Sequence, residues 1–175
     1  MTGHQGFAIW LTGLPASGKS SITRELAGKL GAAGISAIVL ESDEMRRILT
    51  PEPTYSDKER DAFYRSLAMI GELITRSGMN VIFDATANKR AYRDFARTRI
   101  SRFAEVQATC PLDVCMQRDP KGIYRQAAAG GASTVPGLQS SYEPALTPEV
   151  TVDCRVAPEA SAEIILKNLK QLHYI

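Results

Sequence analysis

The chain has few cysteines and histidines, almost no net charge and no long apolar run, and each shortage closes off a class of protein. Its formal charge is +2 over 175 residues, too little by itself to imply a nucleic-acid or membrane-surface binder. No stretch is long and apolar enough to span a bilayer. The start, Met1-Thr2-Gly3-His4-Gln5-Gly6, lacks a basic region followed by an apolar one, so no secretory signal is expected and the location read from the sequence is cytoplasmic. His4 and His173 are terminal and isolated and take no role. The three cysteines, Cys110, Cys115 and Cys154, have no Cys/His partner pair at finger spacing. Reduced structural thiols are therefore the expectation. No internal repeat or low-complexity tract is visible, and the length suits one domain over 1–175 with a substantial core.

Residues 13–20 read Gly13-Leu14-Pro15-Ala16-Ser17-Gly18-Lys19-Ser20, a complete phosphate-binding P-loop. The context agrees with the letters. An apolar run, Phe7-Ala8-Ile9-Trp10-Leu11-Thr12, precedes it as a buried strand. A helical pattern follows, with Ile22, Leu26 and Leu30 on one face. Backbone N–H groups from Gly13 to Ser21 are expected to wrap a polyphosphate at the helix N-terminus. Lys19 is then placed to reach the β- and γ-phosphates, and the Ser20 hydroxyl to ligate Mg²⁺. Nucleotide binding follows from this motif.

Apolar runs alternate with helical patterns along the rest of the chain, which predicts a parallel sheet covered by helices on both faces. Strands are expected near Phe7–Thr12, Ser36–Leu40, Asn80–Phe83, Glu105–Ala108 and Val150–Val152. Ser56-Asp57-Lys58-Glu59 has capping-box form and starts a long helix. Phe63, Leu67, Ile70 and Ile74 are its buried stripe, and Gly78 its stop. A last helix from about Pro158 carries Ile165, Leu169 and Leu172. Residues 118–149 differ from the rest, being rich in Gly, Ala, Ser and Pro, and read as a candidate lid.

Phosphoryl transfer needs a metal, a group that positions the acceptor, and positive charge on the moving phosphate. In an open parallel sheet such groups sit at the carboxyl ends of strands. Asp43 follows one strand and Asp84 closes another, so either suits Mg²⁺ or the acceptor hydroxyl. Asp43 also reads as an N-cap for Glu44–Leu49, and Asp84 as an Asx-turn residue. Arg46, Arg47, Arg60 and Arg65 flank a loop holding Tyr55, a set suited to an anion and a nucleobase, or to a solvated helix face. Of the basic run Lys89, Arg90, Arg93, Arg97, Arg99 and Arg102, only the first two lie near a strand end. The later members read as a solvated face.

Longer motifs resemble the adenylylsulfate (APS) kinase family. Ile9-Trp10-Leu11-Thr12 with the P-loop is similar to the family's opening strand and loop. Pro111-Leu112-Asp113-Val114-Cys115-Met116-Gln117-Arg118-Asp119-Pro120-Lys121-Gly122-Ile123-Tyr124 resembles its Pro-Leu-x-Val-Cys-x-x-Arg-Asp-Pro-Lys-Gly-Leu-Tyr segment. Gly137-Leu138-Gln139-Ser140-Ser141-Tyr142-Glu143-Pro144 is similar to Gly-Ile-Asp-x-Pro-Tyr-Glu-x-Pro. The resemblance implies an α/β P-loop NTPase fold of the nucleoside-monophosphate-kinase kind, a three-layer sandwich with a parallel five-stranded sheet. It implies MgATP-dependent phosphorylation of the 3′-hydroxyl of APS, giving 3′-phosphoadenylyl sulfate (PAPS).

The family's Asp-Gly-Asp-Asn-Val-Arg motif falls on Glu41-Ser42-Asp43-Glu44-Met45-Arg46. The resemblance thus gives Asp43 the metal and acceptor hydroxyl, and Arg46 the acceptor. It further implies base stacking for Tyr55, acceptor binding for Arg60, a place beside the ATP adenine for Arg118, and a lid role for Lys121. Three positions depart from the pattern. Phe63 stands for an Asn, Val135 for a second stacking aromatic, and Ala85-Thr86-Ala87-Asn88-Lys89-Arg90 for Phe-Ile-Ser-Pro-Tyr-Arg. Base stacking is worth about 1–3 kcal/mol, so Val135 removes a sizeable contact. The donor side keeps the pattern better than the acceptor side. The rival readings are a kinase for another small anionic hydroxyl substrate, a nucleotide switch, and a non-catalytic binding module. The switch reading fits poorly, since Asn88-Lys89-Arg90-Ala91 lacks the Asp of a guanine-reading motif. Family members are commonly dimers, and the sequence shows no interface signature of its own.

Overall fold

The computed structural model describes residues 5–131 and 134–175, so His4 lies outside the described residues. Five strands form one sheet: β1 (Ala8–Thr12), β2 (Ala37–Glu41), β3 (Asn80–Asp84), β4 (Phe103–Thr109) and β5 (Val150–Asp153). All pair in parallel, in the order β2-β3-β1-β4-β5. Seven helices accompany them among the described residues: α1 (Lys19–Ala32), α2 (Ser42–Leu49), α3 (Asp57–Arg76), α4 (Arg90–Arg99), α5 (Leu112–Arg118), α6 (Ile123–Ala128) and α7 (Pro158–Gln171). This is the three-layer α/β architecture expected, and each expected strand is present.

The layers follow from side-chain alternation. Ile9 and Leu11 of β1 face α1 and α7, where they meet Ile22, Leu26, Leu30, Ile165 and Leu169. Ala8 and Trp10 face the opposite way, toward Phe63 and Leu67 of α3 and Tyr92 and Ala96 of α4. Both faces of β1 are buried, which is why its sequence is a continuous apolar run rather than an alternating one. The Trp10 indole N–H donates to the Ala85 carbonyl (3.0 Å), and its ring stacks on Phe83. Ser56 caps α3 by accepting from the Glu59 N–H (3.3 Å), as the capping box predicts. Gly78, at φ 89°, closes that helix in the left-handed region. No helix among the described residues is long and apolar enough to cross a membrane.

Two expectations fail. Cys110 and Cys154 are joined in a disulfide, while Cys115 is free and buried. The cause is topological: β4 and β5 are neighbours, so residues just past their ends meet although 44 positions apart. The solvated face assigned to the later basic run is wrong for Arg93, which is 1% exposed. Its Nε donates to Glu105 of β4 (2.6 Å), and its two terminal nitrogens donate to the carbonyls of Ala87 and Glu143. Glu105 also pairs with Arg97, which is bound to Glu149 (2.6 Å). A buried guanidinium needs such saturation, because an unpaired one would cost several kcal/mol.

Candidate active site

The site lies at the carboxyl ends of the strands, where the P-loop leaves β1. Gly13 packs so tightly that a Cβ there would meet the Ala108 carbonyl oxygen of β4 at 2.6 Å. Gly18, at φ 93°, turns the loop into α1, a conformation glycine adopts without steric cost. Lys19 is buried, and its Nζ donates to the carbonyls of Gly13 (3.0 Å) and Leu14 (2.8 Å). Burial pulls its pKa down from 10.5 to about 8, with Asp84 opposing the shift. Ser17 Oγ is buried with no partner, so the loop holds an unsatisfied polar group.

A cavity of about 380 Å³ opens over this loop. Lys19, Ser20, Ser21, Asp43, Asp84, Arg118 and Lys121 all line it, beside Pro15, Ala16 and Gly18. Residues from β3, α1, α2 and the α5–α6 region therefore meet at one place. Asp43 is not the N-cap of the helix after β2. That helix starts at Ser42, its N-cap is Glu41, and no side-chain cap bond is made. Asp43 instead sits in the first turn and binds the Lys121 ammonium, which Glu41 also approaches at 3.7 Å. The hydrogen bond to Asp43 holds the Lys121 pKa above its ordinary value. Asp84 is 4% exposed at the end of β3. Asp43, Asp84 and Ser20 offer hard oxygen donors. Among the described residues, however, no three His, Cys, Asp or Glu side chains converge on a metal position. Such a donor set fits a cation whose remaining ligands are phosphate oxygens and water.

Arg46, Tyr55 and Arg60 form a second cluster, outside the lining of that cavity. Both arginines are buried, at 9% and 7% exposure, so neither belongs to a solvated face; Arg47 and Arg65 are exposed. The Arg60 Nε donates to the Tyr55 carbonyl (3.1 Å), and its Nη2 to the Thr134 carbonyl (2.7 Å). Arg46 Nη1 donates to Glu59 Oε1 (3.2 Å). Tyr55 is exposed and held at φ 54°, an unusual backbone for a bulky residue. The Val135 side chain is buried against Cys115, Tyr124 and Ala127, so it offers no second stacking face.

The candidate lid has two parts. Asp119 accepts from the N–H groups of Tyr124 (3.2 Å) and Arg125 (3.0 Å) at the start of α6, and Tyr124 Oη donates to the Pro15 carbonyl (3.0 Å). Burial raises the Tyr124 pKa and keeps that donor protonated. Residues 134–145 are a strap tied to the body. Tyr142 Oη bonds to Thr12 and Gln107, Asn88 Nδ2 donates to the Ser141 carbonyl, and the Glu143 carboxylate accepts from the Arg90 N–H. Asn88 and Arg93 were not among the residues singled out for the site, although Arg93, like Arg90, keeps a basic position of the family's segment there.

Comparisons with known proteins give the family and the fold. The family model for adenylylsulphate kinase matches residues 5–153. Adenylyl-sulfate kinase of Rippkaea orientalis is 39% identical, with 98% of this chain and 96% of that protein covered. Probable adenylyl-sulfate kinase of Pyrococcus abyssi is 36% identical, with 98% and 99% covered. Among solved structures, the Mycobacterium tuberculosis APS kinase CysC in complex with AMPPNP and APS superposes with a TM-score of 0.91 at 31% identity, covering 95% of this chain and 99% of that one.

Proposed function

The chain belongs to the adenylylsulphate kinase family, and from that premise we infer that it moves the γ-phosphoryl group of ATP to the 3′-hydroxyl of APS, giving PAPS in sulfate assimilation. The observation that carries the reading is the meeting of Lys19, Ser20, Asp43 and Asp84 in one cavity at the strand ends. The P-loop N–H groups bind the phosphates, and Lys19 exchanges its two carbonyl partners for the β- and γ-phosphate oxygens. Asp43 orients the acceptor hydroxyl. Arg46 and Arg60 bind the acceptor's anionic groups, Tyr55 stacks on its base, and Arg118 borders the ATP base. Lys121, carried on the segment before α6, joins the acceptor side when that segment closes and excludes water. Mg²⁺ belongs at Ser20, Asp43 and Asp84, where it would spread positive charge over the phosphate oxygens. A lid whose moving part is residues 118–131, a cytoplasmic location and a homodimer complete the reading.

The test is a coupled assay with MgATP and APS that reads ADP and identifies PAPS by mass. The expected result is PAPS and ADP in equal amounts. No ADP above background hydrolysis at saturating APS would overturn the acceptor and leave a kinase for another small anionic hydroxyl compound.

A further inference from the structure

Helix α2 is attached to the protein in an unusual way. Of its eight residues, Arg46 is the one that is buried, while Ile48 and Leu49 are exposed. The helix that carries Asp43 is therefore docked through a buried guanidinium together with the half-buried Met45, without a buried apolar stripe of its own. That guanidinium lies over an aromatic ring. The Arg46 Cζ is 4.0 Å from the centroid of Phe63, against 5.1 Å for Tyr55 and 5.8 Å for Tyr64. Phe63 is 1% exposed, and its ring meets Tyr64 edge-on at 5.1 Å. Arg46 Nη1 is engaged by Glu59, while no bond from Nε or Nη2 is found among the described residues.

We propose that Phe63 is a positioning residue for the acceptor: its ring face is the bed on which the Arg46 guanidinium is held, with Nε and Nη2 left to meet an anion. The inference rests on the reading of Arg46 as an acceptor contact. The physics is that of a cation over the negative face of a quadrupole, which strengthens when the pair is withdrawn from water. Holding a long, rotamer-rich side chain in its bound orientation removes an ordering cost from binding. Phe63 never touches the acceptor in this scheme and acts through Arg46 alone.

The test is steady-state kinetics on the full chain, with ATP and APS varied separately and folding followed by thermal melts. Phe63→Leu should raise the APS KM by about threefold to tenfold, the range of a partly desolvated cation–π contact, and leave the ATP KM unchanged. Pentafluorophenylalanine in place of Phe63 keeps the shape but removes the negative ring face, so it should raise the APS KM in the same direction without lowering the melting temperature. In an Arg46→Ala background, both changes should lose their effect on the APS KM. Should Phe63→Leu fail to fold, the fluorinated ring makes the same test. An unchanged APS KM with the fluorinated ring, or an equal effect with and without Arg46, would overturn the proposal. Arg46→Ala with an unaltered APS KM would instead remove the acceptor reading of Arg46 itself.

Discussion

Raising the pH should weaken ATP capture by this protein before it harms anything else, because of Lys19. The ammonium is buried on two carbonyls of its own loop, and burial brings its pKa to about 8. At pH 7 about nine tenths of the free protein then carries the charge that attracts the phosphates; at pH 9 about one tenth does. kcat/KM for ATP reports the free enzyme and should fall about tenfold over that range. kcat at saturating ATP should stay level, since bound polyphosphate favours the charged lysine. A Lys19→Arg variant, permanently charged, should lose the alkaline limb even if its overall rate is lower. Stability carries the same signature with a definite sign. The folded pKa is below the unfolded value of 10.5, so between pH 8 and 10.5 the unfolded chain binds the extra proton. The Lys19 penalty is therefore full below pH 8 and fades as pH rises to 10.5, a recovery of about 3 kcal/mol. Urea unfolding at pH 7.5 and 10, compared with Lys19→Met, isolates that contribution. A kcat/KM for ATP that stays flat to pH 9.5 would refute the reasoning.

Asp43→Asn should lower turnover at least about a hundredfold with little change in melting temperature, since Asp43 makes no cap bond; equal losses of stability and activity would count against its catalytic role. Asp84→Asn should do less harm, and a larger loss there would reverse the two assignments. In hydrogen exchange, residues 118–131 should exchange faster than the five strands and gain protection with AMPPNP and APS together, whereas the bonded strap at 134–145 should be protected from the start. Unchanged exchange in the ternary complex would remove the lid. The Cys110–Cys154 disulfide spans 44 positions, so the chain-entropy model gives it up to about 4 kcal/mol. Cys110→Ser should lower the melting temperature in the absence of reductant, and a melting temperature indifferent to reductant would mean the thiols are not joined.

The donor half of the site is legible in the sequence because its signals are local. Strand, glycines, lysine and helix occupy one run of residues, and Asp84 is marked by the apolar strand it ends. What is not legible depends on pairs that only the sheet brings together. Nothing on α4 distinguishes the buried Arg93 from the half-buried Arg90 until Glu105 of β4 is seen opposite it. Cys154 similarly has no visible partner until β5 lies beside β4. The Asp43 cap reading fails by two residues, since the helix starts at Ser42 and makes the cap Glu41. Phe63 reads as an ordinary member of a buried stripe, and it is one, yet its second face serves a cation.

The central place of β1 also governs how the protein is made. The P-loop strand leaves a ribosome before either of its neighbours, which are β3 and β4, with Ala8 paired to Val81 and Phe103. At synthesis rates of 5–20 residues per second, Ala8–Thr12 waits about 5–20 s for its second partner. During that interval Ile9, Trp10 and Leu11 are an exposed apolar stretch, suited to a chaperone and prone to self-association. A fragment ending before β4 would contain every letter of the nucleotide motif, yet its P-loop strand would lack one of its two neighbours. ATP can therefore assist maturation only after β4 has emerged.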